Sequence, residues 1–392
     1  MRVAHLADLH LGFRQYSRLT SDGANQRETD VSQAFRRVVD DVIAQAPDVV
    51  IVAGDVFNSV RPTNQAILVA FHEFRRLDQS LPGVPIVVIE GNHDMPRSIE
   101  TGSILRLLEA FDGVRVVTGA AEVLTFTDLD LSVTCIPYAS IVADTRPCMT
   151  PAPGYQFNIL VTHGEIEGVL PGDSGQREYQ GAVIEVAELA AESWSYVALG
   201  HYHVARPVAP NAWYSGSIEY VSTNPWGELR AEAAEGRKHQ KGWLFVELGK
   251  NAEVEFRSIE LGREFVDLQE IAGSNMAAEE IDRIIEQHVS GIPGGIDGKI
   301  VRQLVRDVPR GISRELNHRR IRELKAAALH FNLDVRKPVV NREVGFGSPT
   351  LRQTVPELLL DYLSRRPIDA DVDRQQLLNL ARGYLSGLDE QA

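Results

Sequence analysis

The chain has 392 residues, 44% hydrophobic and 24% charged, an ordinary globular composition with room for one large domain and one or two small ones. A net charge of −14 argues against indiscriminate binding to nucleic acid, and no apolar run exceeds strand length, which sets aside a membrane span. Two cysteines, Cys135 and Cys148, make no disulfide framework, so the expectation is a reduced, cytoplasmic protein without a leader.

A strand over residues 1–10 ends in Asp8-Leu9-His10. Residues 11–28 show no period, carry Arg14, Arg18 and Arg27, and read as a loop at the mouth of a site. From Thr29 to Ala46, Val31, Phe35, Val38, Val39, Val42 and Ile43 share one helical face. Pro47 ends that helix, and Val49–Val52 leads to Gly54-Asp55. Pro62 opens a helix through Leu77. The apolar run Val84–Ile89 then reads as a buried strand ending in Gly91-Asn92-His93-Asp94.

A helix is expected over 99–111, strands through 115–136, and a proline-rich loop over 144–156. Ile159–Val161 leads to His163, followed by a Gly-rich polar excursion over 165–181 and a short helix over 184–192. Tyr196–Leu199 leads to His201 and His203, with further strands at 213–221 and 242–247. This alternation is that of an α/β fold: two sheets sandwiched between helices, ending near residue 258.

A small α+β unit follows over 264–335, with strands at 265–268, 299–305 and 328–335 and helices at 277–289 and 313–325. Between Lys299 and Lys325 it holds nine basic and three acidic residues, in contrast to the acidic first 300 residues. Residues 336–350 read as a linker. The amphipathic segments 355–363 and 377–388, within 351–392, are each too short to stand alone and either pack back or dock on a partner.

Five strand tips thus deliver seven metal-ligand candidates: Asp8, His10, Asp55, Asn92, His163, His201 and His203. Open α/β sheets place their sites at such carboxyl ends. Carboxylates, an amide oxygen and imidazoles suit manganese, iron or zinc rather than magnesium or calcium. Seven ligands exceed the shell of one ion. Two ions sharing Asp55 divide them, with Asp8, His10 and His203 on one and Asn92, His163 and His201 on the other. Such a pair, about 3.5–4 Å apart, clamps a phosphoryl group and generates hydroxide. No cysteine belongs to the set, as a structural zinc would favour, and no phosphate-binding Gly-x4-Gly-Lys loop is present. His93 is expected to point away from the ions and act on the leaving oxygen, with Asp94 orienting it. His5 reads as a core or supporting residue.

Asp8-x-His10, Gly54-Asp55, Gly91-Asn92-His93-Asp94, His163-Gly164 and Gly200-His201-x-His203 resemble, in order, the calcineurin-like metallophosphoesterases. Asp8-Leu9-His10-Leu11-Gly12 and Ser215-Gly216-Ser217-Ile218-Glu219 are further similar to the SbcD-type nuclease subunits. The resemblance implies a metallophosphoesterase sandwich, two divalent ions of the Mn2+ type on the seven ligands, and His93 as the transition-state histidine. It also implies a DNA-capping domain at 264–335 and C-terminal helices that dock an SbcC-type ATPase. The expected protein is a homodimeric, nucleoid-associated bacterial-type nuclease of double-strand-break repair, acting on duplex ends and single-stranded DNA. Asn58 stands where some members carry a second active-site histidine, which bears on the balance between exonuclease and endonuclease action.

Two other readings use the same metal site: a phosphodiesterase or phosphatase for small esters or nucleotides, and a non-catalytic DNA-end scaffold. For the basic segment there are also two. Arg319 and Arg322, three apart on a helix, form a DNA-contacting face with Arg14 and Arg18 as further contacts, or the segment clamps onto the acidic catalytic domain.

Overall fold

The structure is a computed structural model describing residues 1–96, 102–169, 182–237, 240–338, 360, 362–364 and 373–389. It divides into two compact units, Met1–Arg336 and Lys337–Ala392.

The first unit opens with β1 (Arg2–Leu6), α1 (Gln26–Gln45), β2 (Val49–Val52), α2 (Asn64–Ser80) and β3 (Ile86–Ile89). Helix α1 begins earlier than its apolar period indicates because Asn25 caps it, its side-chain oxygen accepting from the N–H groups of Arg27 and Glu28. Helix α2 starts behind the Thr63 cap rather than at Pro62. Of the helix expected over 99–111, residues 99–101 lie outside the described residues, and the rest is a 3-10 helix, Ile104–Ala110.

There follow β4 (Val114–Val117), β5 (Glu122–Phe126), β6 (Leu131–Ile136), α3 (Tyr138–Ile141), β7 (Phe157–His163), β8 (Glu165–Ile166), β9 (Val183–Ile184), α4 (Val186–Leu189) and β10 (Tyr196–Gly200). The unit continues through β11 (Arg206–Ala209), β12 (Ala212–Tyr214), α5 (Pro225–Ala234), β13 (Gly242–Leu248) and β14 (Ala252–Ser258). One six-stranded sheet has the order β14-β13-β1-β2-β3-β4 and the other β11-β12-β10-β7-β6-β5.

Val49 and Ile51 face the inter-sheet core with Val87, Val133, Ile159 and Ala198, while Val50 and Val52 face outward beneath α1 and α2. Strand β2 is apolar at every position because both its faces are covered. The expected two-sheet sandwich between helices is therefore present. Locally the chain differs from expectation. Residues 184–192 form the end of a strand, one α-helical turn and the start of a 3-10 turn, Ala191–Ser193. The strand expected through 221 stops at Tyr214, where Gly216 turns at φ +76° against the backbone of His203–Ala205. Part of the excursion expected after His163, residues 170–181, lies outside the described residues.

A small parallel sheet completes the unit: β15 (Phe265–Asp267), β16 (Ile271–Ala272), α6 (Ala278–Ser290), β17 (Ile300–Arg306), α7 (Arg310–Glu315), α8 (His318–Ala327) and β18 (His330–Val335). Strand β17 pairs with the other three. The single helix expected over 313–325 is two, because Asn317 breaks the chain and caps α8. Ile281, Ile285, Val301, Val305 and Phe331 form this sheet's own core. A separate apolar cluster joins it to the sandwich, with Tyr220, Trp226 and Leu229 against Phe265, Ile300 and Leu329.

In the second unit the helix expected over 377–388 runs over Arg374–Asp389. Residues 339–350 of the expected linker and 351–359 of the segment after it lie outside the described residues. Among the described residues, no helix is long and apolar enough to cross a membrane.

Candidate metal centre

β1, β2 and β3 are parallel neighbours in one sheet, and β7 and β10 in the other, so their carboxyl ends gather at one pole. The chain leaves these strands in strained turns. Asp8 (φ 52°), His10 (φ 44°), Asp55 (φ 52°) and His201 (φ 102°) are all left-handed, at about 1–3 kcal/mol each. The β1–β2 pairing continues past the strand ends and holds the turns: Asp8 N–H donates to Gly54 O, His10 N–H to Asp55 O, and Leu11 N–H to Val56 O. Gly91 and Gly200 leave no alternative residue, since a Cβ would run into the Asp55 carboxylate and the Ala53 carbonyl respectively.

All seven expected ligands meet at this pole. Asp55 Oδ2 lies 3.6 Å from His10 Nε2 and 3.2 Å from His163 Nε2, between the two halves of the set. In one half, His10 Nε2 and His203 Nε2 are 3.1 Å apart. In the other, Asn92 Oδ1 lies 2.9 Å from His163 Nε2 and 3.1 Å from His201 Nδ1. The Asp8 carboxylate accepts the His201 N–H with both oxygens, at 3.0 and 3.1 Å, linking the sheets. Donor atoms of Asp8, His10 and His203 lie within 4.8 Å of one another, and so do those of Asp8, Asp55 and His163. His163 Nδ1 donates to Ala53 O at 2.8 Å, which turns Nε2 towards the cluster. Nitrogen and oxygen donors, buried and converging, fit divalent cations.

The electrostatics agree. Burial pushes Asp55 up, but His163, with His10 and His93, overrides it and holds the carboxyl well below the usual range. Burial pushes Asp8 up to about 6. Burial lowers His163, but Asp55 more than offsets that and raises it to about 9. Packed carboxylates and imidazoles of this kind await a central positive charge.

His93 does not turn away from the cluster as expected. Its ring stands edge-on to His10 at 4.7 Å between centroids, its N–H donates to Asp55 Oδ1, and its Nδ1 donates to Asn58 O at 2.8 Å. The Asn58 backbone thus sets the ring beside His10 and Asp55. Asp94, expected to orient His93, accepts instead from the N–H groups of Val56, Phe57 and Gly91 and pins the β2 and β3 loops together. Its burial pushes it up to about 7. His5 lies in the inter-sheet core, its Nδ1 2.9 Å from Tyr196 Oη.

Glu228 and Lys241 were not anticipated. Glu228 Oε1 lies 3.6 Å from His203 Nδ1, and buried Lys241 donates to Glu228 and to His203 O and forms an ion pair with Glu232 at 3.2 Å. Burial pushes Glu228 up, but Lys241 and His203 reverse this and lower it to about 2. The signal was present: two glutamates four apart share a helix face, and a lysine opens an apolar strand.

Arg14 pairs with Glu28 at 2.7 Å, and Arg18 donates to the carbonyls of Ala326 and Ala328 at the end of α8. Arg319 is 86% exposed beside Glu323, and Arg322 is exposed. The basic segment pairs largely within its own sheet: Lys299 with Glu264, Arg302 with Asp267, Arg306 with Glu270 and Arg320 with Glu286. The acidic partners of these four lie outside the sandwich, although Arg302 also lies over Trp226 of α5.

The sequence profile of the calcineurin-like phosphoesterases matches residues 1–205, more than half of the chain. This protein belongs to that family. It is a metal-dependent phosphodiesterase hydrolase of the metallophosphoesterase fold. It is also similar to the DNA double-strand break repair protein Mre11 of Methanocaldococcus jannaschii, 28% identical over 298 residues that cover 72% of this chain and 74% of that protein. The proteins of the same name from Sulfurisphaera tokodaii (28% over 291 residues, 73% and 69% covered) and Thermoplasma acidophilum (30% over 270 residues, 66% and 64%) are similar in extent.

Proposed function

We propose that this protein is a DNA repair nuclease that uses two divalent cations, Mn2+ best among them, at Asp8, His10, Asp55, Asn92, His163, His201 and His203. The observation that carries the reading is the convergence of these side chains from five parallel strand tips around Asp55. The ions would supply a Lewis acid and a hydroxide at neutral pH. Asp55 would hold both halves of the set in register. His93, fixed through Nδ1, presents Nε2 to protonate the leaving oxygen.

DNA is favoured over a small ester because the similarity to the repair proteins extends beyond the phosphoesterase region and because a basic helix, α8, lies in the small sheet. We assign 1–258 to the nuclease domain, 264–335 to a DNA-capping domain, 336–350 to a linker and 351–392 to helices that dock an SbcC-type ATPase, with the protein acting in the cytoplasm on the nucleoid. Purified protein with Mn2+, offered linear duplex, single-stranded DNA and a chromogenic phosphodiester, tests this. Cleavage of both DNA forms is expected. Cleavage of the small diester alone would instead support the small-molecule phosphodiesterase.

Pairing into a homodimer is part of the proposal. Leu68 (64% exposed) and Phe71 (39%) on α2 and Leu107 (48%) on the neighbouring 3-10 helix offer an apolar face, with Phe71 against Phe111 at 4.7 Å.

A further inference from the structure

The two halves of the ligand set are supported from different directions. His163 is fixed by the Ala53 carbonyl and the Asp55 carboxylate, and the His201 backbone by Asp8, all within the sandwich. The half containing His10 and His203 is backed by two routes that leave the sandwich.

The first route starts at His203. Its imidazole faces Glu228 on α5, and Lys241 ties Glu228 to the His203 carbonyl. The Lys241 ammonium also lies over the Tyr220 ring at 4.6 Å, and that ring packs on Phe265 of β15 at 4.5 Å. Trp226, on the same helix as Glu228, lies under the Arg302 guanidinium of β17 at 4.9 Å. Helix α5 thus touches a metal ligand on one face and the small sheet on the other. The second route is the loop that follows His10. Tyr16, at a left-handed φ of 62°, stacks on His330 of β18 at 3.9 Å, and Arg18 caps the C-terminal carbonyls of α8. A bulky residue held left-handed is strained, and the contacts it reaches on the small sheet over-determine it.

We propose that the small sheet positions the His10–His203 side of the Asp8–His10–His203 subsite, through Glu228 and α5 and through the Tyr16–Arg18 clasp, while His163 of the other subsite takes its position from Ala53 and Asp55 within the sandwich. Glu228 and Tyr16 are positioning residues. They act on ligand geometry, as a carboxylate behind a metal-bound imidazole does. Anything that shifts the small sheet, such as duplex DNA on α8, then changes occupancy of one subsite and not the other.

This rests on the two-metal reading, and the test separates the two. Mn2+ binding to the full chain is titrated by calorimetry and by the electron paramagnetic resonance of free Mn2+, without DNA. Wild type is expected to take two ions. Tyr16→Ala combined with Arg18→Ala, and separately Glu228→Gln, should weaken one ion about 10–100-fold and leave the second unchanged. Tyr16→Phe, which keeps the stacking ring, should restore both. If wild type fails to take two ions, the two-metal reading falls and this inference with it. If wild type takes two and the loop variant binds both as wild type does, or loses both equally, the inference alone is overturned.

Discussion

Nε2 of His10 faces Nε2 of His203 across 3.1 Å, from turns on opposite sheets. Without a metal, such a contact needs one proton between two lone pairs. A cation held there would compete with that proton, so metal affinity is expected to rise with pH. Each occupied site at a hundredfold excess over its Kd adds about 2.7 kcal/mol of stability. Chelator treatment should therefore lower the melting temperature, and Mn2+ should restore it. Asp55→Ala, which removes the carboxylate between both halves, should abolish the Mn2+-induced shift and diester cleavage together. A full shift in that variant would remove Asp55 from its shared position.

His93→Ala should separate binding from turnover. Asn58 O holds the ring through Nδ1, and the proposed task of the imidazole is on the leaving oxygen rather than on a cation. Loss of a general acid costs about 10²–10⁴-fold in rate. Metal stoichiometry, read by calorimetry, should stay at the wild-type value. If the ions leave in step with activity, His93 belongs to the ligand set.

His5 gives the fold a defined sensitivity to acid. Burial between the sheets pushes its imidazole down to about 3, against an ordinary 6.5. The folded protein therefore keeps His5 neutral while the unfolded chain takes up a proton below 6.5. Its stabilising contribution is complete above that pH and is lost as pH falls from 6.5 towards 3, by about 1.4 kcal/mol per unit. Urea unfolding of wild type and His5→Phe between pH 8 and 5, with chelator, should show a shallower acid limb in the variant. Parallel limbs would mean that His5 is protonated in the folded state.

Much of this was legible in the sequence because β1, β2, β3, β7 and β10 are apolar runs covered on both sides, ending in Gly, Asp, Asn or His. What was not legible depended on contacts distant in sequence. Nothing local shows that Asp94 serves the N–H groups of Val56 and Phe57, or that the Asn58 carbonyl takes the His93 proton. Asn25 and Asn317 moved helix starts because a capping side chain outweighs apolar period at the first turn. Lys241 was hidden as one more polar residue before a strand, and only the fold shows it buried between two glutamates.

The apolar face of α2 and the 3-10 helix predicts its own variant. Leu68→Asp with Phe71→Glu places two charges on a surface proposed to pair two copies. Both side chains are exposed, so the fold should survive. Light scattering at micromolar concentration should report a dimer for wild type and a monomer for the variant. A wild-type monomer would remove the pairing.

The basic helix carries the last prediction. Several cations of the small sheet are committed to acidic partners close by: Arg302 is buried on Asp267, and Arg320 bridges Glu286 and Glu323. Among the described residues, the ion pair of Arg319 is a long 3.4 Å contact with Glu323 at 86% exposure, which is worth little in water. Arg322 is exposed on the same helix, three residues on. These two, with the exposed Lys325 three residues further on, are side chains of α8 available to phosphate oxygens. Phosphate contacts carry no sequence preference and release counterions, so they show as salt dependence. Arg319→Glu with Arg322→Glu should weaken duplex binding at every sequence tested and reduce the slope of log K against log salt by roughly one unit per lost contact. Hydrolysis of the chromogenic diester needs only the metal pole and should stay at the wild-type rate. If both activities fall, α8 supports the site structurally. If neither changes, α8 is a solvated face, and the duplex must be sought along the loop of Arg14, whose guanidinium pairs with Glu28 near the site.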